Sequence, residues 1–229
     1  MSTGMNQNIC VSLGDLPFDK CLQSASEFPF VEIRLDLLKI SPEKIDILAF
    51  QCRRWIATCR PCNNLSERDR TALLAAAIRA GATYVDIEYE AAADYRQPLT
   101  ELAKQHRCKV IISYHNFETT PDNDTLEEII QRSISMGADL VKIAVTAHTF
   151  ADCAGIISLY GQYPNLVAFA MGEAGKITRI ATPFVGAEFT YASIDEENQT
   201  APGQLTASQM EDVFRILTTP AKRIVVLNK

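Results

Sequence analysis

The chain has 229 residues, enough for one large domain or two small ones, and is 47% hydrophobic and 22% charged, as in a globular protein with a substantial core. Its formal net charge of −6 argues against a general nucleic-acid or anionic-membrane surface, since both need excess Lys and Arg. No apolar run approaches the roughly 18–20 residues that span a bilayer, and the opening MSTGMNQNIC lacks the basic and apolar regions of a signal peptide, so a cytoplasmic protein is expected.

Short apolar runs rich in Val, Ile and aromatic residues alternate with longer helical patterns along the whole length. In chain order the expected strands are NICVSL (8–13), FVEIRLD (30–36), WIATC (55–59), TYVDIE (83–88), KVIISY (109–114), DLVKIA (139–144), NLVAFA (165–170) and EFTYAS (188–193). Helices with recognisable ends lie between them. SERDRTALLAAAIRAG starts at an N-cap, Ser66, and stops at Gly81. DTLEEIIQRSISMG sets Asp124 and Glu127 at capping-box spacing and closes at Gly137, and TASQMEDVFRIL (206–217) opens with Thr206 and Gln209 in the same relation. Strict β/α alternation means parallel strands with helical crossovers. Eight such units with no linker between them fit a single (β/α)8 TIM barrel over residues 1–229, slightly below the usual ~250. The alternative, a doubly wound open sheet, normally carries a Gly-rich loop after its first strand, and VSLGDLPF has one glycine.

The seven cysteines are odd in number and scattered, which suits reduced thiols. CRPC (59–62) has C-x-x-C spacing, but no second pair or His pair completes a zinc site, and NNLS separates it from the helix that a redox motif would open. MGEAGKIT fails the Walker pattern, with Ala170 where the first glycine should stand and Ile177 where Ser or Thr should. His106 reads as a cation at a helix C-terminus, His148 as a loop residue beside an N-cap, and DEEN (195–198) as the solvated tip of a loop.

Alternation along a strand separates barrel interior from helix layer. In VEIRLDL, Val31, Ile33, Leu35 and Leu37 share one face, and Glu32, Arg34 and Asp36 the other. Val85 and Ile87 likewise oppose Asp86 and Glu88, and Val110 and Ile112 oppose Ser113 and His115. In DLVKIAV (139–145), Val141, Ile143 and Val145 point outward and Lys142 inward. A lysine there is costly to bury unless it is paired or used. The structural alternative is an ion pair with Glu32, Asp86 or Glu88. His115 and Lys142 lie 27 positions apart, one βα unit, near the C-terminal ends of adjacent strands, where barrel enzymes build their sites.

In a partly apolar cavity with neighbouring arginines, a lysine favours its neutral amine, which attacks ketones to form a Schiff base. The iminium acidifies the adjacent C–H, and a histidine can take that proton and then protonate a departing group. Arginines add bidentate recognition of a carboxylate. Such chemistry is β-elimination or retro-aldol cleavage of a keto compound, and it requires no metal or organic cofactor.

The stretches EIRLDLL (32–38), TCR (58–60), DIE (86–88), SYHNFE (113–118), VKIAV (141–145), MGEAGKITRI (171–180), FTYAS (189–193) and APGQ (201–204) occur in this order over nearly the whole chain. Together they resemble type I 3-dehydroquinate dehydratase, the Schiff-base enzyme of the shikimate pathway. The resemblance implies a (β/α)8 barrel, usually a homodimer, that removes water from 3-dehydroquinate to give 3-dehydroshikimate. It implies that Lys142 forms the Schiff base and that His115 removes the C2 proton, helps the C1 hydroxyl leave and assists imine formation and hydrolysis. It further implies that Glu32, Arg34 and Arg60 hold hydroxyl and carboxylate groups of the substrate, that Arg179 binds the carboxylate, and that Thr200 and Gln204 belong to a loop closing over the site. Two departures stand out. Thr200 replaces a frequent Ser, and Asn64 stands where the family commonly has a glutamate that orients the histidine, leaving Glu88 or Glu67 as stand-ins. A class I aldolase and a non-catalytic barrel binding a polyhydroxy acid are the competing functions. An aldolase is expected to carry phosphate-binding glycines after its last two strands, and VGAEFTYAS offers little of that kind.

Overall fold

A computed structural model describes residues 8–219. The β-branched and aromatic runs form eight strands: β1 (Ile9–Leu13), β2 (Val31–Arg34), β3 (Trp55–Thr58), β4 (Tyr84–Glu88), β5 (Lys109–Asn116), β6 (Leu140–Thr146), β7 (Leu166–Met171) and β8 (Thr190–Ser193). All pair in parallel in the order β7-β6-β5-β4-β3-β2-β1-β8, so the sheet curls until β8 returns to β1. That pairing excludes the doubly wound alternative. Among the described residues no ladder joins β7 to β8, which leaves one seam in the (β/α)8 barrel.

Helices α1 (Phe18–Glu27), α2 (Leu35–Leu38), α3 (Ile45–Gln51), α4 (Glu67–Arg79), α5 (Ala93–Gln105), α6 (Asn123–Ser135), α7 (Phe150–Ser158), α8 (Gly172–Val185) and α9 (Ala207–Thr218) form the outer layer. Thr206 caps α9 in a full capping box, as its spacing predicts, and Ser66, expected as an N-cap, caps α4 in a full capping box with Asp69. For α6 the cap is Asp122, whose Oδ1 accepts from the Thr125 amide at 2.8 Å, rather than Asp124, which lies inside the first turn. Among the described residues no helix is long and apolar enough to cross a membrane.

Alternation decides what packs where. Val85, Ile87, Val110 and Ile112 face outward against Leu74, Ala77 and Leu99, while Val141, Ile143 and Val145 meet Leu126, Ile130 and Ile156. Each such fully buried Val, Leu or Ile contributes about 1.5–3 kcal/mol. Inside the barrel, Phe30, Tyr84 and Phe189 fill the end from which the strands start, with Phe30 and Phe189 edge to face at 4.9 Å. The Arg54 guanidinium lies 4.1 Å from the centre of the Phe30 ring and donates to Tyr84 Oη at 2.7 Å and Glu188 Oε1 at 3.1 Å. This aromatic plug leaves the opposite, C-terminal end for chemistry.

One face assignment needs correcting. The second strand ends at Arg34, two residues earlier than its alternation predicts, because Leu35–Leu38 turns into helix before Lys39 at φ 50°. Asp36 therefore leaves the set that the strand aims into the barrel and returns to accept both Nε and Nη2 of Arg34, at 3.1 and 2.7 Å.

Candidate active site

A cavity of about 460 Å³ opens at the C-terminal face. All eight residues singled out from sequence line it: Glu32, Arg34, Arg60, His115, Lys142, Arg179, Thr200 and Gln204. Strand register explains most of this. Ser113 pairs with Lys142 across β5 and β6, and His115 with Ala144, so His115 stands one inward step above the lysine on the adjacent strand.

Lys142 is only 5% exposed. Its Nζ lies 3.0 Å from Asp86 Oδ2 and 3.5 Å from Glu32 Oε1, and it sits 4.3 Å from the centre of the Tyr191 ring. The ion pair and the cavity position are thus both present, and carboxylates, rather than the arginines expected from sequence, make its nearest polar contacts. Those carboxylates are themselves held in place. Ser12 Oγ and Thr58 Oγ1 donate to Glu32 at 2.5 and 2.9 Å. Asp86 accepts from Ser113 Oγ at 2.5 Å and pairs with Arg60 Nη2 at 2.8 Å. Burial pushes the Asp86 carboxyl up, but Arg60, Lys142 and the Ser113 hydroxyl outweigh it and hold the group well below the usual carboxylate range. Arg60 also meets Glu88 at 3.2 Å, and Glu88 takes Arg70 on its other oxygen at 2.9 Å.

His115 is driven the other way. Burial, then Arg60 and Lys142, disfavour the imidazolium and hold the ring well below its ordinary value, with Asp86 opposing. The imidazole is accordingly neutral at pH 7 and able to accept a proton. Phe117 stacks on it with 6.0 Å between ring centres and 14° between planes. Asn64 does not reach this ring; it lines a separate cavity with Leu35, Asp36 and Lys39. Of the two carboxylates expected in its stead, Glu88 is engaged by Arg60 and Arg70, and Glu67 is an exposed residue of the first turn of α4 outside the cavity lining. His148 stays beside the N-cap of α7, its Nε2 2.6 Å from the Glu118 carbonyl oxygen, and His106 caps the C-terminus of α5.

Arg179 arrives by a different route. It belongs to α8, outside the strands, and reaches the cavity beside the unpaired seam between β7 and β8, where its guanidinium lies 4.1 Å from the Phe169 ring centre. The residue is fully buried, yet Nε, Nη1 and Nη2 have no hydrogen-bond partner among the described residues. Burial brings its pKa down to about 10, with Tyr191 and Glu32 opposing, so it remains a cation at neutral pH. A buried guanidinium with every donor free is matched by an anion that enters the cavity. Over it runs the loop after β8. Thr200 donates its amide and hydroxyl to Gln204 Oε1 at 3.0 and 3.2 Å, and the loop rests on the start of α8. Gly203 has φ 71°, and a Cβ there would lie 2.5 Å from the Gly172 carbonyl oxygen, so only glycine allows this close approach.

Sequence reasoning passed over Tyr191, Phe117 and Phe169 as cavity residues. Tyr191 was detectable, since it stands two positions after Phe189 and shares its inward side, as was Phe117, two positions beyond His115.

A barrel carrying lysine, histidine and arginines around a cavity at the C-terminal strand ends is built as an enzyme. The family model of type I 3-dehydroquinase matches residues 9–220. A 3-dehydroquinate dehydratase of Desulfotalea psychrophila is 34% identical over 221 residues, covering 91% of this chain and 97% of the relative, and one of Dehalococcoides mccartyi is 35% identical, covering 92% and 96%. The crystal structure of the 3-dehydroquinate dehydratase from Aquifex aeolicus superposes with a TM-score of 0.79 at 27% identity, over 93% of this chain and 99% of that one. The chain belongs to the type I 3-dehydroquinase family and is a hydro-lyase.

Proposed function

We propose that this enzyme dehydrates 3-dehydroquinate to 3-dehydroshikimate through an imine on Lys142, a step of aromatic amino-acid biosynthesis. The observation that carries the reading is the union, in one cavity, of a buried lysine, a neutral histidine one inward step above it and an arginine whose donors are all free. Lys142 gives up its ammonium proton to His115, and as the amine adds to the C3 ketone the C–N bond forms and the C=O π bond opens. His115 relays that proton and then a second one from the nitrogen to the ketone oxygen, which becomes a hydroxyl and then departs as water as the C=N bond forms. The iminium then withdraws electrons from C2. His115 removes the C2 proton and returns it to the C1 hydroxyl as the C1–O bond breaks, leaving the conjugated product imine for hydrolysis. Asp86 and Glu32 orient the amine and stabilise the iminium charge. Arg179 receives the substrate carboxylate beneath the Thr200–Gln204 loop, and Arg34 and Arg60 hold hydroxyl groups. No step calls for a metal or organic cofactor.

Mixing the protein with 3-dehydroquinate, reducing with borohydride and mapping the adduct by peptide mass spectrometry tests this reading. The expected result is an adduct on Lys142 that needs substrate, with enone absorbance growing before reduction. A folded protein that yields no adduct on Lys142 rejects the mechanism. An adduct without enone locates the failure at His115 and proton transfer.

A further inference from the structure

Tyr191 has its ring held between aromatic neighbours at the wall of the cavity. It lies on the inner face of β8, paired in register with Cys10 of β1, and its ring packs against Phe169 at 5.6 Å and Phe189 at 5.5 Å. The residue is 3% exposed, and its phenolic oxygen is buried with no hydrogen-bond partner among the described residues. An orphan hydroxyl of this kind lowers stability, and phenylalanine would fill the same space without that penalty. The ring lines the cavity and carries Lys142 Nζ 4.3 Å from its centre. Burial, reinforced by Glu32, Cys10 and Asp86, holds the phenol well above its ordinary pKa, so at neutral pH the group is an O–H donor and not a phenolate.

We propose that Tyr191 is a further catalytic residue, whose O–H donates a hydrogen bond to the oxygen on the carbon that Lys142 attacks. The idea rests on the imine mechanism proposed above and adds to it a residue for one step. When the amine adds, that oxygen lies two bonds from Nζ, within reach of a phenol whose ring centre is 4.3 Å from the same nitrogen. The carbonyl oxygen accepts the bond first. As the C–N bond forms, the C=O π bond opens and the oxygen gains negative character, then a proton delivered through His115, so the bond from Tyr191 is strongest at the transition state of addition. The phenol keeps its own proton throughout. The substrate oxygen leaves as water, and Tyr191 returns to its unpartnered state.

The test is Tyr191→Phe, which removes one oxygen and keeps the ring. Three readouts are taken on the full chain: thermal midpoint, rate of borohydride-trappable adduct formation with 3-dehydroquinate, and steady-state dehydration. Loss of the orphan group is expected to raise the midpoint by about 2–4 °C. Adduct formation and kcat are expected to fall about tenfold or more, with KM changed far less, because the lost bond is made mainly at the transition state. A variant that forms the adduct and turns over at the wild-type rate overturns the assignment. So does a lower midpoint, which would mean that the hydroxyl already has a structural partner. If wild-type protein forms no adduct, the imine mechanism itself fails. If wild type forms it and Tyr191→Phe matches it, only the role of Tyr191 fails.

Discussion

Lys142 Nζ and Asp86 Oδ2 lie 3.0 Å apart on strands separated by β5, and both side chains are almost wholly buried. Asp86 joins this amine to Arg60, so one carboxylate sets the position of two cations in the cavity. Replacing it by the isosteric amide (Asp86→Asn) leaves Lys142 with Glu32 and Arg60 with Glu88 as their remaining anions. Removing one partner of a buried pair is costly, and a stability loss of about 3 kcal/mol is expected by chemical denaturation. Misplacement of the amine is expected to lower kcat/KM about 10²-fold. Turnover within threefold of wild type would show that Asp86 does not position the lysine.

The depressed histidine sets a pH dependence of both activity and stability. In the folded chain His115 protonates only well below the ordinary imidazole value, whereas in the unfolded chain it protonates near about 6.5. Between those two values the unfolded state binds the extra proton. Folding stability is therefore fully retained above about pH 6.5 and declines as pH falls towards the folded-state value. Asp86 and Glu32, both held below the carboxylate norm, add their own loss at still lower pH. The acid limb of kcat/KM is expected to lie below pH 6.5. His115→Gln should flatten the stability difference between pH 7 and pH 5 and abolish dehydration. A wild-type acid limb above pH 7 would contradict the neutral-imidazole assignment.

Strand alternation alone located Lys142, Asp86, Glu32 and His115, because a barrel interior leaves an inward charge nowhere to go except a pair or a site. It failed where the chain stops being a strand. LDLL reads as alternation but folds as a helical turn, so Asp36 serves Arg34 instead of sharing the inward face with Glu32. β5 runs on to Asn116, two residues past its expected end, and Thr146 Oγ1 donates to the Asn116 carbonyl there at 3.2 Å. Arg179 could not be placed by period at all. A helix residue enters the cavity only where β7 and β8 leave their edges unpaired, and no local pattern encodes a missing ladder. Asn64 is displaced by a local turn instead: the Cys62–Leu65 bridge folds CNNL back on itself, and Asn64 lines a separate cavity.

The free guanidinium of Arg179 makes a prediction with opposite signs for binding and stability. Arg179→Met removes a buried cation that has no anionic partner among the described residues and leaves a side chain of similar reach against Phe169. Its thermal midpoint is expected to equal or exceed that of wild type. Substrate KM is expected to rise about 100-fold, equivalent to about 2.7 kcal/mol. Wild-type protein, but not the variant, should gain thermal stability from the dehydration product, whose carboxylate needs the same donors. A variant that melts earlier and keeps its KM would assign Arg179 to the fold instead.

At the other end of the barrel the expectation reverses. Arg54 lies over Phe30, donates to Tyr84 and Glu188, and lines no part of the cavity. Tyr84 Oη also donates to Glu188, and burial, with Glu188 as the next cause, raises its pKa to about 12, so the cluster is not switched by ordinary pH. Arg54→Leu removes the cation–π contact and both charge-assisted bonds, and leaves Glu188 with Tyr84 and a Lys109 ammonium 3.8 Å away. A stability loss of about 2 kcal/mol is expected, since the guanidinium is partly exposed and its ion pair is weakened by solvent. Both kcat and KM are expected to stay within twofold of wild type at 25 °C, because conserving the plug and conserving the site are separate tasks at opposite ends of the strands. Denaturant unfolding and steady-state rates on the same preparation check this. A fall in kcat with stability unchanged would mean that the aromatic floor transmits its packing upward to Tyr191 and Lys142, through the Phe189–Tyr191 contact at 5.5 Å.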